Sequence, residues 1–255
     1  MSWSPQQYTR FEDDRTRPVR DLVAAIPDAP APTVDIGCGP GNSTEVLLAR
    51  FPGQEATGID SSPEMIEAAR KRLPQLRFEV ADIATWNGPG PFGAILANAV
   101  LQWVPEHAAL LPRLVGLLAE GGSLAVQMPD NEQEPAYVIM REVASSGPWA
   151  AKLAEAGGFR SRMGSPEWYY GVLRPHCRRV DVWRTTYFHV LEGGADAIVE
   201  WFKGSGLRPY LVPLDEAQRA GFLERYREGI AQAYPAQPDG TALLPFPRLF
   251  MVGTR

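Results

Sequence analysis

The chain has 255 residues, a formal net charge of −5, 45% hydrophobic and 22% charged residues, ordinary values for a folded globular protein. That length holds one large domain or two small ones, and a mildly acidic balance argues against a nucleic-acid binder, which needs clustered positive charge. Two distant cysteines, Cys38 and Cys177, and three histidines, His107, His176 and His189, leave no disulfide framework and no metal-ligand spacing.

No apolar run reaches the roughly 18 residues of a membrane span. Residues 1–5 lack the basic and then apolar order of a signal peptide. A cytoplasmic protein without a membrane partner is therefore expected.

Residues 16–26 predict a helix, with Pro18 in its first turn where a missing N–H costs little. A Pro/Ala linker over 27–32 precedes a short apolar strand at 34–36, broken by Gly37, Gly39 and Gly41. Then follow a helix at 43–51, a strand at 56–60 and a helix at 63–73 capped by Ser61 or Ser62. Strands at 76–80 and 92–97, a helix at 107–119 ended by Gly121-Gly122, and a strand at 123–127 complete the first half. Strands alternating with helices at this spacing predict an α/β fold, a doubly wound, Rossmann-like parallel sheet.

After Met128 the periodicity weakens. Within 159–184 six arginines face two acids. A strand at 180–190, helices at 194–203 and 214–233, and a strand at 249–252 follow. The expected division is a core over 1–128, then a second part over 129–255. That part holds a helical cap, about 130–180 and 205–240, and the last two of seven strands. Residues 1–140 carry 10 basic and 18 acidic side chains and residues 141–255 carry 15 and 12, so the two parts either meet different ligands or differ only on solvated faces.

The chemistry concentrates at strand ends. Val34-Asp35-Ile36-Gly37-Cys38-Gly39-Pro40-Gly41-Asn42 joins the first strand to the next helix. Its glycines allow a sharp turn and close approach of a ligand. The spacing is G-x-G-x-G, not the G-x-G-x-x-G of a dinucleotide pyrophosphate. Asp35 just before the loop repels phosphate and suits an ammonium or sulfonium. Asp60 ends the second strand, where an acid accepts from both ribose hydroxyls. Asp82-Ile83 follows the third strand, where a carboxylate meets an adenine amino group beside an apolar side chain. Asn98-Ala99 closes the fourth. Singly, Asp60 reads as a helix cap, Asp82 as a turn residue and Asn98 as a loop hydrogen-bonder. Four such features at four successive strand ends point to a nucleoside ligand. Cys38 within the loop reads as a small packed residue.

This constellation resembles the class I S-adenosylmethionine-dependent methyltransferases over residues 33–128. Within them the whole chain is similar to the trans-aconitate 2-methyltransferase family. The more specific likeness lies in W-S-P-Q-Q-Y-T-R-F-E-D-D-R-T-R-P (3–18), L-Q-W-V-P (101–105), I-V-E-W-F-K-G-S-G-L-R-P-Y-L (198–211) and F-P-R-L-F-M-V-G-T-R (246–255). The resemblance implies S-adenosylmethionine as cofactor and a small anionic carboxylic acid, trans-aconitate or a relative, as acceptor of the methyl group. It implies cofactor binding by Tyr8, Asp35, Gly37, Gly39, Gly41, Asn42, Asp60, Ser61, Met65, Asp82, Ile83, Asn98, Ala99 and Trp103. In that reading Trp3 and Tyr8 fold over the cofactor as a lid or anchor a loose terminus, and Trp103 covers adenine or packs in the core.

Transfer of methyl to a carboxylate needs alignment rather than a base, because a carboxylate with a reference pKa of about 4 is already ionised at neutral pH. No catalytic acid or base and no metal is therefore expected. Arginine suits a polycarboxylate through its two-pronged geometry. Arg208 with Tyr210 in a glycine-flanked loop, and Arg174 after Trp168-Tyr169-Tyr170, are the candidates; each arginine also reads as a solvated surface residue. His107 reads as a cap or a solvent-facing residue, and His176 as one more member of a basic run or a carboxylate contact. Three alternatives remain at this point: another carboxylate such as a malonyl thioester, a nicotinamide-dependent oxidoreductase, and a non-catalytic S-adenosylmethionine-binding module.

Overall fold

A computed structural model describes residues 12–28, 32–154 and 163–255, with side chains from Thr16 onward. Two strands buried along their whole length form the centre: β1 (Thr33–Ile36) and β4 (Phe92–Asn98). Continuous burial, rather than alternation, is what a parallel strand covered on both faces requires. β2 (Ala56–Asp60) pairs parallel with β1, and β3 (Arg77–Val80), largely exposed, pairs parallel with β2 at the margin. β5 (Leu118–Pro129) pairs parallel with β4, with an irregular register between Phe92 and Ala94. With β6 (Arg179–Glu192) and β7 (Thr241–Thr254), the seven-stranded order is β3-β2-β1-β4-β5-β7-β6. The Arg255 amide donates to Gly122 and the Ser123 hydroxyl meets Thr254, so β7 runs antiparallel to β5. The sheet is thus mixed and not wholly parallel as its first half suggests.

Helices α1 (Glu12–Ala24), α2 (Asn42–Arg50), α3 (Pro63–Arg72) and α4 (His107–Gly116) alternate with the early strands. α1 starts earlier than the sequence suggests, which places Pro18 inside it. α4 stops at Gly116, and Gly121-Gly122 lie within β5. Pro245 and Pro247 hid the first half of β7 from the sequence reading, since proline removes a ladder donor.

The chain divides into two units. The first holds the described residues of Met1–Pro129, Arg162–Thr185 and Leu249–Arg255. Its core joins β1, β4, β5 and α4 to Tyr169, Leu173 and Cys177 around α7 (Pro166–Leu173). That helix, expected in the cap, belongs to this unit instead. The second holds the described residues of Asp130–Ser161 and Thr186–Arg248. It contains α5 (Pro135–Ser146), α6 (Ala150–Leu153), α8 (Gly194–Lys203), α9 (Arg208–Leu211) and α10 (Glu216–Ala233). α10 buries Phe222, Tyr226 and Ile230, four residues apart, so one face of an otherwise polar helix turns inward. Trp149 tilts on Phe222 at 5.5 Å and Tyr137 meets Phe202 edge-on at 5.2 Å. Among the described residues no helix is long and apolar enough to cross a membrane.

Candidate active site

The loop after β1 is fixed by its neighbours. The amides of Gly37 and Cys38 both donate to the Ile59 carbonyl, at 2.7 and 2.9 Å. Gly37 has φ +75, and a Cβ there would lie 2.3 Å from Val100 Cγ2. Only glycine lets the loop press on the segment after β4. Gly39 has φ +52 with nothing within 4 Å of an added Cβ, so its backbone is open to a ligand. Gly41, φ +91, sits just before α2, whose first residue, Asn42, is buried.

Asp35 is wholly buried at the end of β1. Its Oδ2 accepts from Ser43 Oγ at 2.6 Å and Thr44 Oγ1 at 2.7 Å in the first turn of α2. Its Oδ1 is buried with no hydrogen-bond partner among the described residues. Desolvation raises the carboxyl pKa to about 6, against the two hydroxyl bonds, and the nearby Asp60 charge adds to the rise. A buried acid with one unsatisfied oxygen is costly unless a cation or donor meets it. Ser43 and Thr44 were not singled out in the sequence, although they directly follow Asn42.

Asp60 couples two elements. One oxygen accepts from the Gly39 amide at 3.0 Å and the other from the Ser62 amide at 2.9 Å. A carboxylate has about four acceptor positions, so two remain for a ligand. Ser62, not Ser61, caps α3: its hydroxyl accepts from the Met65 amide at 3.3 Å. Ser61 is exposed, and the Met65 side chain is buried. Asp82 is exposed and accepts from the Ala84 amide at 2.9 Å. Its neighbour Ile83 is buried in the core of the first unit.

Asn98, 9% exposed, also carries a buried Oδ1 without a partner among the described residues. Ala99 has φ +51, rare for a residue with a side chain, and its amide donates to the Gln127 carbonyl at 2.8 Å. Trp103 is 39% exposed at the end of a 3₁₀ turn over Leu101–Trp103, which places it outside the core. His107 is neither a cap nor solvent-facing. It is buried, with Nδ1 at 2.7 Å from the Tyr169 hydroxyl and Nε2 at 2.8 Å from the Leu101 carbonyl.

The structure therefore gathers Asp35, Gly37, Gly39, Asp60, Asn98 and Ala99 at the carboxyl ends of β1, β2 and β4. The unpartnered oxygens there are acceptors on acids or amides. That set suits a group offering N–H or O–H donors and positive charge, and the open backbone at Gly39 admits it closely. Arg174 does not join them. It is exposed, its Nη1 donates to the Cys177 carbonyl at 2.9 Å, and Cys177 packs on Gly253. The following Arg178 reaches Gly121 beside Arg255, towards the opposite end of the sheet. Arg208 and Tyr210 lie in the second unit on α9, a short helix where a loop was expected. Arg208 is half-buried, and Tyr210 is 7% exposed, its ring stacked on Phe222 at 6.1 Å. Tyr8 lies outside the described residues.

A methyltransferase-domain family matches residues 33–122. A trans-aconitate 2-methyltransferase of Rhizobium meliloti is 55% identical, covering 100% of this chain and 99% of its own. Another, of Methylobacterium radiotolerans, is 54% identical over 99% of this chain and 98% of its own. The chain belongs to the trans-aconitate 2-methyltransferase family. It is an S-adenosylmethionine-dependent methyltransferase, and the set of acceptors above fits that cofactor. The nicotinamide-dependent oxidoreductase weighed from sequence is not favoured. In fold the chain is similar to the YcgJ protein of Bacillus subtilis, with a TM-score of 0.62, 11% identity and coverage of 94% of this chain and 98% of that one.

Proposed function

We propose that the enzyme transfers a methyl group from S-adenosylmethionine to one carboxylate of trans-aconitate, forming a monomethyl ester. The observation that carries this reading is end-to-end identity of 54–55% to relatives bearing that activity in their names. The cofactor supplies an electrophilic methyl on a positively charged sulfur. The residues do the holding. Asp60 has two acceptor positions left for the ribose hydroxyls. Asp82 and the apolar Ile83 suit the adenine amino group and ring. Asp35 and Asn98 meet the ammonium and the positive field of the donor with oxygens that lack other partners.

The acceptor is an ionised carboxylate, so no side chain has to remove a proton from it. What remains is orientation, bringing oxygen, methyl carbon and sulfur into line. Arg208 and Tyr210 hold a carboxylate of the acid. Burial pushes the Tyr210 hydroxyl pKa up, which keeps it a donor. The test is incubation with S-adenosylmethionine and trans-aconitate, with citrate and cis-aconitate as controls, and mass spectrometry of the product. A monomethyl ester from trans-aconitate in preference to the controls supports the reading. Binding of the cofactor with no ester from any acid overturns it.

A further inference from the structure

A glutamine that neither the fold nor the proposed chemistry has used stands beside the cofactor edge. Gln102 is 3% exposed. Its Nε2 donates to the Ala99 carbonyl at 2.7 Å. The amide can be placed only this way round, because an oxygen turned to that carbonyl would repel it. Oε1 therefore faces away, and it is buried with no hydrogen-bond partner among the described residues.

The turn that carries Gln102 is held from several sides. Ala99 is fixed in its left-handed conformation between the Gln127 carbonyl, which its amide meets, and Gln102, which meets its own carbonyl. A residue kept in such a conformation needs its surroundings to over-determine it. One step along, His107 Nε2 bonds the Leu101 carbonyl. A carbonyl only accepts, so Nε2 carries the proton, and in the neutral ring Nδ1 then accepts from the Tyr169 hydroxyl. Val100, between them, lies against Gly37 of the glycine loop. A buried acceptor has thus been built into a braced turn against that loop, where Asp35 and Asn98 present the other two unpartnered oxygens.

The geometry points to Gln102 as a cofactor-binding residue whose Oε1 accepts a hydrogen bond from the ammonium of the cofactor's amino-acid moiety, with His107 and Tyr169 as positioning residues for its turn. Three unpartnered acceptors on one stretch of the sheet edge, those of Asp35, Asn98 and Gln102, match an ammonium, which offers three N–H donors and accepts nothing. The inference rests on the family's use of S-adenosylmethionine and not on the identity of the acid.

The test compares two ligands by isothermal titration: S-adenosylhomocysteine, which carries the amino-acid moiety, and 5′-methylthioadenosine, which lacks it. Gln102→Met keeps the length and removes both polar atoms. It should weaken S-adenosylhomocysteine about tenfold while leaving methylthioadenosine within about twofold. Gln102→Glu keeps an acceptor of the same reach and should restore the preference for S-adenosylhomocysteine, even where both affinities fall because a carboxylate repels the Ala99 carbonyl. Tyr169→Phe should shift the same preference by a smaller factor. Equal losses on both ligands in the Met variant, or an unchanged preference, would overturn the assignment. So would a Glu variant that discriminates no better than Met.

Discussion

The two units reach their chemistry in different ways. In the first, each side chain proposed to hold the cofactor sits within a few residues of a strand end, and the backbone fixes it. Asp35 follows two buried residues of β1, Asp60 ends β2 and Asn98 ends β4. In the second, Arg208 and Tyr210 ride on a four-residue helix whose place is set by aromatic packing among Tyr210, Phe222 and Trp149. A nucleoside site can be written into the strand–loop–helix grammar of a sheet. An acceptor site of this kind depends on which side chains meet in a helical unit, and local pattern does not encode that.

This contrast is testable, and the sharpest break is at the loop. Gly37→Ala places a methyl 2.3 Å from Val100 Cγ2 in a left-handed conformation. It should abolish S-adenosylhomocysteine binding and cost about 2–4 kcal/mol of stability, read by titration and by urea unfolding. Asp60→Ala leaves the Gly39 and Ser62 amides and the ribose hydroxyls without their acceptor. Cofactor affinity should fall by about 1–3 kcal/mol; an unchanged value would relocate the ribose.

Asp35 predicts a pH signature confined to the first unit. Its carboxyl is raised from 3.8 to about 6 by burial. A raised folded-state pKa means that its contribution to stability is fully present below about pH 4 and is lost as pH rises through 6. The difference is on the order of 3 kcal/mol for the free protein. A ligand that sets an ammonium against this carboxyl reverses the preference, because it needs the ionised form. S-adenosylhomocysteine should therefore bind about tenfold more weakly at pH 5 than above pH 7, and Asp35→Asn should flatten that dependence. The smallest effect belongs to the second unit. Arg208→Ala should raise the KM for the acid several-fold, about 1 kcal/mol, with the KM for the cofactor little changed. The reverse pattern would move the acceptor elsewhere.

How much the sequence disclosed follows the same line. Alternating strands and helices gave β2 and α8 their full bounds and the other early elements to within a few residues, because strong periodicity needs no tertiary context. The late strands were harder. Pro245 and Pro247 masked half of β7, and α7 packs with the first unit although it follows the start of the second in sequence. The acids at strand ends were legible because their position alone carries meaning. His107 and Gln102 were not: one resembled a cap and the other an anonymous member of L-Q-W-V-P. His107 takes its place from Tyr169, 62 positions away, and Gln102 from the left-handed turn at Ala99. Arg174 misled for the opposite reason. An arginine after aromatics looks like an anion clamp until its guanidinium is found on the Cys177 carbonyl.

The most direct measurement is titration of the wild-type protein and the Asp60→Ala variant with S-adenosylhomocysteine and, separately, with NADH. Saturable binding of the former to one site, weakened in the variant, with no response to the dinucleotide, is the expected result. No heat with S-adenosylhomocysteine, or tight binding of NADH, would contradict a sheet edge built for a sulfonium nucleoside.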